Sequence, residues 1–440
     1  MTRSLLASGL SRTLGRLSHT RRGALTILSG TAAGQVLALI SAPILSRLYS
    51  PANFGLFTVI SSAVTVVGTV AALRFELAVP LPKDERDAQA LVALGLGSTV
   101  LSLIVTGTLV ATMGDRIAAR FDEAGLMPWL WALPVISAFM GAYLLLNQLA
   151  IRHRRYSAIG RRNVLQSSAM VATQLGAGFL GLKTGGLVVG LGMGQATSAV
   201  SLVAGSQLFT AEGREGRTPA RLRAMARRYR RFPLILAPSG LLNVMGLQLP
   251  VILIAYWYGS SVAGWMGLTQ RVLSLPVMLV GTAMAQVYLG ELARAAHDEP
   301  GRAHRLFVSA SRRLFAVGAA AAVAVVALGP FLFGLVFGSE WRTSGQYAQA
   351  LAVSLAAQLL AVPVSQTLIV FERQLLQLAW DAGRLVLIVS AVAATYFSGG
   401  SALHALWAYG VASAVAYSAS WGMSYSTIRR NDRPRPAVPS

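Results

Sequence analysis

Cysteine is absent from all 440 residues. That excludes a disulfide framework and any thiolate ligand or nucleophile. Histidine is scarce: His19, His153, His297, His304 and His404 lie far apart, with no HExxH or similar metal-ligand spacing. Charge is scarce too, at 12% of residues against 54% hydrophobic, with a mean hydropathy of +0.58. Soluble domains carry about 25% charged residues, so this is the composition of an integral membrane protein. Acids are the rarest charges, 16 against 38 basic residues, for a net charge of +22. In a soluble chain that excess would suggest nucleic acid. Here the basic residues fall in short loops between apolar runs, and membrane topology accounts for them. No strand–GxxxxGK[ST]–helix pattern and no hydrolase or kinase motif occurs. The chain is therefore not expected to hydrolyse ATP by itself, and no cofactor is expected.

Long apolar runs are abundant. About 20 apolar residues let an α-helix cross ~30 Å of hydrocarbon while satisfying its own backbone. Twelve such spans are expected, near 24–46, 54–73, 88–112, 129–150, 164–183, 186–207, 232–257, 263–289, 314–337, 346–371, 378–397 and 403–426. The first two form a hairpin about the polar turn from Ser46 to Asn53. With the N-terminus inside, 31 Lys and Arg fall on inner segments and five on outer ones. This positive-inside bias places both termini in the cytoplasm. Residues 1–22 carry five arginines and no acid, with Leu6, Leu10, Leu14 and Leu17 at helical spacing. They read as a basic amphipathic helix on an anionic leaflet, and a mitochondrial transit peptide is the rival for that composition.

The expected division is a six-helix bundle over 23–207, a connector over 208–231, a second six-helix bundle over 232–428 and a basic tail over 429–440. Thr218-Pro219 is a plausible start for a connector helix. Tyr49 and Gly55 flank the first turn as Tyr258 and Gly264 flank the turn between spans seven and eight, at the same separation. The fold class is thus all-α and polytopic, with about twelve transmembrane helices in two bundles around a central cleft, a common transporter plan.

Candidate site residues are the charges and amides inside spans. Arg271 falls about 12 Å into span eight. At that depth a cation needs a hydrated interior or a partner. Its guanidinium suits a phosphate, or a structural pairing with amides or carbonyls. Asp381 and Arg384 are three apart on one face of span eleven, either a satisfied pair or a substrate or proton site. Arg74 and Glu76 pose the same question at the end of span two, and Arg47 ends span one. Gln35, Asn147 and Gln270 belong to a wider set of in-span amides that glue helices together or hydrogen-bond sugar hydroxyls in a cleft.

Arg47, Tyr49, Ser50-Pro51 and Phe54-Gly55 of the first turn, followed by Arg74-Phe75-Glu76 and an acidic loop, resemble the N-terminal signature of polysaccharide-biosynthesis membrane proteins. These are the Wzx-type lipid-linked oligosaccharide flippases of the multidrug/oligosaccharidyl-lipid/polysaccharide (MOP) exporter superfamily. The motif covers roughly the first 90 residues; the second half matches only in hydropathy. The resemblance implies two rocking bundles of MATE-like fold in the bacterial inner membrane. The implied cargo is an undecaprenyl-diphosphate-linked oligosaccharide repeat unit, carried from the cytoplasmic to the periplasmic leaflet for O-antigen, capsule or exopolysaccharide. A cationic cleft would take the diphosphate. Arg47 and Arg74 carry over by motif position, whereas Arg271 and Arg384 rest on their place within spans. Asp381 and Glu76 are the candidates for proton or sodium coupling. Anionic lipids, a polysaccharide polymerase and other assembly proteins are the expected partners, and nucleic acid is not. The alternative is another exporter of the superfamily, a multidrug antiporter or a lipid II flippase. A membrane-embedded glycosyltransferase or ligase would usually need a larger outer loop than Met113 to Pro128.

Overall fold

A computed structural model describes residues 23–431, apart from 24–25, 28, 122–125, 207, 209, 211–214, 216 and 299–300. The amphipathic helix expected over 1–22 and the tail beyond 431 lie outside the described residues. The fold is helical. The helices are α1 (Ser29–Leu48), α2 (Pro51–Val70), α3 (Glu85–Arg120), α4 (Ala132–Arg152), α5 (Tyr156–Phe179), α6 (Lys183–Val203) and the connector α7 (Pro219–Arg228). They continue as α8 (Ala237–Tyr258), α9 (Ser260–Pro276), α10 (Thr282–Asp298), α11 (Arg302–Phe337), α12 (Arg342–Val364), α13 (Gln374–Phe397) and α14 (Ala402–Asn431).

Among the described residues, nine helices are long and apolar enough to cross a membrane. The other three expected spans are also long helices: α5, α9 continued by α10, and α14. They are more polar because they carry in-span arginines, amides and hydroxyls. Several boundaries differ from expectation: α11 begins at Arg302 rather than at 314, and α3 runs on to Arg120 rather than ending at 112. The fifth span, expected at 164, begins as a helix at Tyr156, so Arg161 and Arg162 lie inside the helix rather than in the preceding loop. The apolar residues left outside the packing are those that meet lipid. On α11, Val323, Val326, Leu328, Phe331, Leu332 and Leu335 are exposed, and only 17% of its most apolar window is buried.

The chain forms two compact units. The first holds the described residues within Met1–Leu48, Ala63–Ala119 and Glu123–Gly240; the second holds those within Tyr49–Ser62, Arg120–Asp122 and Leu241–Ser440. The start of α2 therefore groups with the second unit, and its first glycine explains why. A Cβ added at Gly55 would overlap the carbonyl of Ser260, and one at Gly264 would overlap the carbonyl of Pro51. The two helix backbones touch, which only glycine at both positions permits. The paired glycines noticed in the sequence thus face each other.

The segment that follows α2 packs into the first unit. Its core joins Phe75, Leu91, Leu145, Leu149 and Leu202 to Met225 and Tyr229 of the connector, so α7 lays its apolar face on this unit. Arg152 donates to the carbonyl of Pro82 at 2.5 Å and to Glu85 at 2.9 Å, while His153 bonds the other Glu85 oxygen at 2.9 Å. Arg221 of α7 bridges Asp84 and Asp87 at 3.1 and 2.9 Å. The acidic loop therefore clamps the α4–α5 turn and the connector. The second unit packs around Tyr288, Leu292, Phe307, Leu314 and Ile428.

The units repeat a backbone pattern. Helix α5 starts at Tyr156 and ends at Phe179; α13 starts at Gln374 and ends at Phe397, each 218 residues on. Arg154 and Glu372, also 218 apart, both have φ 54, and Gly181 and Gly399 have φ 73 and 77. The hydrogen bonds Arg155 N to Ala150 O and Arg373 N to Leu368 O occupy matching positions. Almost no residue identity accompanies this match, because helix geometry and turn closure constrain dihedrals more than side chains.

Candidate functional site

In the second unit α8, α9, α12, α13 and α14 enclose a cavity of about 220 Å³. That is below the ~300–1,000 Å³ of pockets that swallow drug-sized ligands, so it has room for a phosphate- or sugar-sized group rather than an oligosaccharide. Its wall is mixed. Gln248, Gln270, Gln358, Tyr409 and Tyr417 present amides and phenols, and among the described residues that line it Arg384 is the only cation. Gln358 donates to the Tyr417 hydroxyl at 2.8 Å. Gln270 reaches the Tyr409 hydroxyl at 3.5 Å, a weak bond that leaves the amide available to another group.

Arg384 is only 5% exposed. Its guanidinium lies over the Trp380 ring, 4.6 Å from the centroid, and the Trp380 indole is fixed by donating to Ala416 O at 2.6 Å. One nitrogen, Nη2, lies 3.4 Å from Asp381 and donates to Asn243 O at 3.3 Å. The same Asp381 oxygen accepts from Asn243 Nδ2 at 2.8 Å. Gly246 makes room for the group, since a Cβ there would sit 3.0 Å from Nη2. Arg384 Nε is buried and has no hydrogen-bond partner. The pair is thus only partly satisfied, at a separation long for a charge-assisted bond. A cation with a spare donor on an amide- and hydroxyl-lined cavity is suited to an oxyanion.

The other expected residues are spread out. Arg271 neighbours Gln270 on α9, is half-buried, and is not among the residues lining this cavity. Arg47 is exposed at the end of α1 and donates back to Pro43 O at 2.9 Å. Gln35 is exposed on α1. Arg74 pairs with Glu76 at 3.4 Å in the first unit, on the 3₁₀ turn Phe75–Ala78. Leu73 and Arg74 both have left-handed φ, at 49 and 61, a strained conformation for such side chains. The Arg74 guanidinium lies against Gly240. Glu76 is 2% exposed, and burial raises its carboxyl above the usual range, with the Arg74 charge opposing. Asn147 lies in the first unit beside Arg162, at 3.4 Å. Of the expected set, Arg384, Asp381 and Gln270 come together at this cavity, and Arg74 and Glu76 pair separately in the first unit. Trp380, Tyr409, Tyr417 and Gly246 were not anticipated, because aromatics and glycine in an apolar helix give no signal of which way they face.

A family model described as polysaccharide biosynthesis protein matches residues 44–346. The chain belongs to the polysaccharide biosynthesis protein family. Its fold is that of MOP-superfamily transporters. It is similar to the lipid II flippase MurJ in an inward closed conformation, with TM-score 0.74 and 11% identity over 91% of this chain and 87% of that one. It is also similar to an inward-facing multidrug-resistance MATE family transporter of the MOP superfamily, with TM-score 0.66 and 12% identity over 92% and 95%. A third is a MOP superfamily transporter from Pyrococcus furiosus described as having a binding pocket of reversed polarity, with TM-score 0.58 and 15% identity over 94% and 96%. At such identities the likeness speaks for the fold alone. No curated protein matches the chain. Family, fold and apolar helices together make this a multi-pass membrane protein of the polysaccharide biosynthesis family.

Proposed function

We propose that the protein is a flippase that carries undecaprenyl-diphosphate-linked oligosaccharide from the cytoplasmic to the periplasmic leaflet by alternating access, supplying a surface polysaccharide. The observation that carries this reading is Arg384, buried with an unfilled donor on a cavity of amides and phenols, in a member of the polysaccharide biosynthesis family. A diphosphate and its sugars cannot cross hydrocarbon unaided, because charge and hydroxyls would lose their water. Arginine replaces that solvation by charge-assisted bonds, and glutamine and tyrosine replace it for hydroxyls. At ~4 Å and an effective dielectric near 20, one arginine–phosphate pair is worth about 4 kcal/mol before desolvation. A few such pairs suffice, since more would hold the cargo too tightly to release. Arg47, Arg74 and Arg271 are further candidates for the diphosphate along its path. Glu76 and Asp381 are the candidates for proton or sodium coupling, and anionic lipids and a polymerase are the expected partners in a bacterial inner membrane.

The test uses a strain lacking the gene. Membrane extracts are searched by mass spectrometry for undecaprenyl-diphosphate-linked oligosaccharide. Accumulation of a complete repeat unit together with loss of surface polymer is expected, and Arg384→Gln should reproduce both. A truncated or absent lipid-linked species would place the protein before translocation. An unchanged species and normal polymer would remove the assignment.

A further inference from the structure

Arg162 on α5 of the first unit is 8% exposed and sits among neutral groups. Its Nη1 donates to Gln166 Oε1 at 3.0 Å and its Nη2 lies 3.4 Å from Asn147 Oδ1. The guanidinium lies over the Tyr143 ring, 4.9 Å from the centroid. Its Nε is buried without a partner. Among the described residues no carboxylate forms an ion pair with it. A guanidinium carries five donors and a full charge. Buried without an anion, it is costly to keep.

The repeat between the units indicates that the fold does not need this cation. By the 218-residue register, Arg162 corresponds to Trp380 and Gln166 to Arg384. Helix α13 forms with the same ends and the same turn dihedrals although an indole stands where α5 has the arginine. The position next to it behaves differently. Asn163 donates to Thr31 at 2.8 Å on α1, and its counterpart Asp381 accepts from Asn243 at 2.8 Å on α8. That helix-to-helix bond recurs in both units, as a structural contact should, whereas the buried cation moves by one turn.

We infer that Arg162, Tyr143, Asn147 and Gln166 form a second oxyanion site, in the first unit, that takes a phosphate or diphosphate group. Two amide oxygens and an aromatic face hold the guanidinium in place, while its free Nε–H and remaining Nη hydrogens are left for the ligand. In part this rests on the reading of the cargo as a diphosphate-bearing lipid, since a lipid headgroup phosphate has the same chemistry.

The experiment measures binding of farnesyl diphosphate to the full-length protein in neutral detergent by calorimetry, for wild type, Arg162→Gln, Arg162→Lys, Arg384→Gln and the Arg162→Gln/Arg384→Gln double variant. Loss of charge-assisted bonds weakens binding by about tenfold or more. Arg162→Gln should show that loss alone and again in the Arg384→Gln background, and Arg162→Lys should recover part of it. Thermal unfolding confirms that each variant is folded; Arg162→Lys retains the charge and serves as the test if Arg162→Gln does not fold. A folded Arg162→Gln protein that binds within twofold of wild type overturns the inference. If Arg384→Gln still weakens binding in that case, the proposed cargo site stands without the second one. If only Arg162→Gln weakens binding, this site stands and the cavity around Arg384 is not where diphosphate sits. Competition distinguishes the source of the phosphate: displacement by phosphatidylglycerol assigns the site to lipid headgroups, and displacement by inorganic pyrophosphate alone assigns it to a diphosphate.

Discussion

Replacing Asp381 and Arg384 one at a time and together separates their structural role from their role toward cargo. The side chains are 9% and 5% exposed, with 3.4 Å between nitrogen and oxygen. At that distance and an effective dielectric near 20, Coulomb attraction is about 5 kcal/mol, and desolvation of both groups offsets most of it. Asp381→Asn leaves the Arg384 charge buried beside neutral groups. Arg384→Gln leaves Asp381 with only the Asn243 amide. Removing one member of a buried pair costs about 3–5 kcal/mol, whereas neutralising both leaves no stranded charge. Water admitted by the cavity lowers these figures, so the coupling energy should still reach at least about 2 kcal/mol. Unfolding of purified protein in mixed micelles, followed by tryptophan fluorescence, measures it; Trp380, stacked on Arg384, lies within the perturbed region. Both single variants should be less stable than the double variant. Strictly additive losses would refute the partnership. Export is then assayed by complementation. The double variant should fold and fail to restore polymer. Normal polymer from it would refute a role for Arg384 toward cargo.

Acid sensitivity should trace to the clamp around Glu85. Burial would raise its carboxyl, but hydrogen bonds from Arg152 and His153 hold it below its ordinary 4.5. A lowered folded value means that its stabilisation is complete above about 4.5 and disappears as pH falls through the lower value. The melting temperature of wild type minus that of Glu85→Gln should be positive at pH 6 and shrink below pH 4.5; a difference constant with pH contradicts this. Glu76 has the opposite sign. Its raised carboxyl is penalised as pH rises, so Glu76→Gln should gain stability relative to wild type with rising pH, and a flattened pH profile of export in that variant would mark it as a coupling group. Gly55→Ala and Gly264→Ala should each cost about 1–3 kcal/mol by overpacking. Together they should cost less than the sum, because one separation of the two helices relieves both overlaps; full additivity in thermal unfolding would show that the glycines act independently.

Helical class, membrane character and family were legible in the sequence because each rests on local patterns. Apolar length decides which segments cross a bilayer, and the Arg47–Gly55 turn with Arg74-Phe75-Glu76 is contiguous. The i,i+3 spacing of Asp381 and Arg384 announced their pairing, since helix geometry alone places them on one face. Tertiary structure decided the rest. Arg162 read as a loop charge until α5 was seen to begin at Tyr156, which draws it inside among Tyr143, Asn147 and Gln166. Arg271 and Gln270 are adjacent in sequence, yet only Gln270 lines the cavity, because neighbouring residues on a helix point about 100° apart. The 218-residue repeat was invisible to residue comparison because it is kept in dihedrals and backbone hydrogen bonds. Sequence by itself determined that this chain is a helical membrane protein of the polysaccharide biosynthesis family. Only packing decided which of its many in-span amides and cations meet, because which face of a helix turns inward depends on the neighbouring helices.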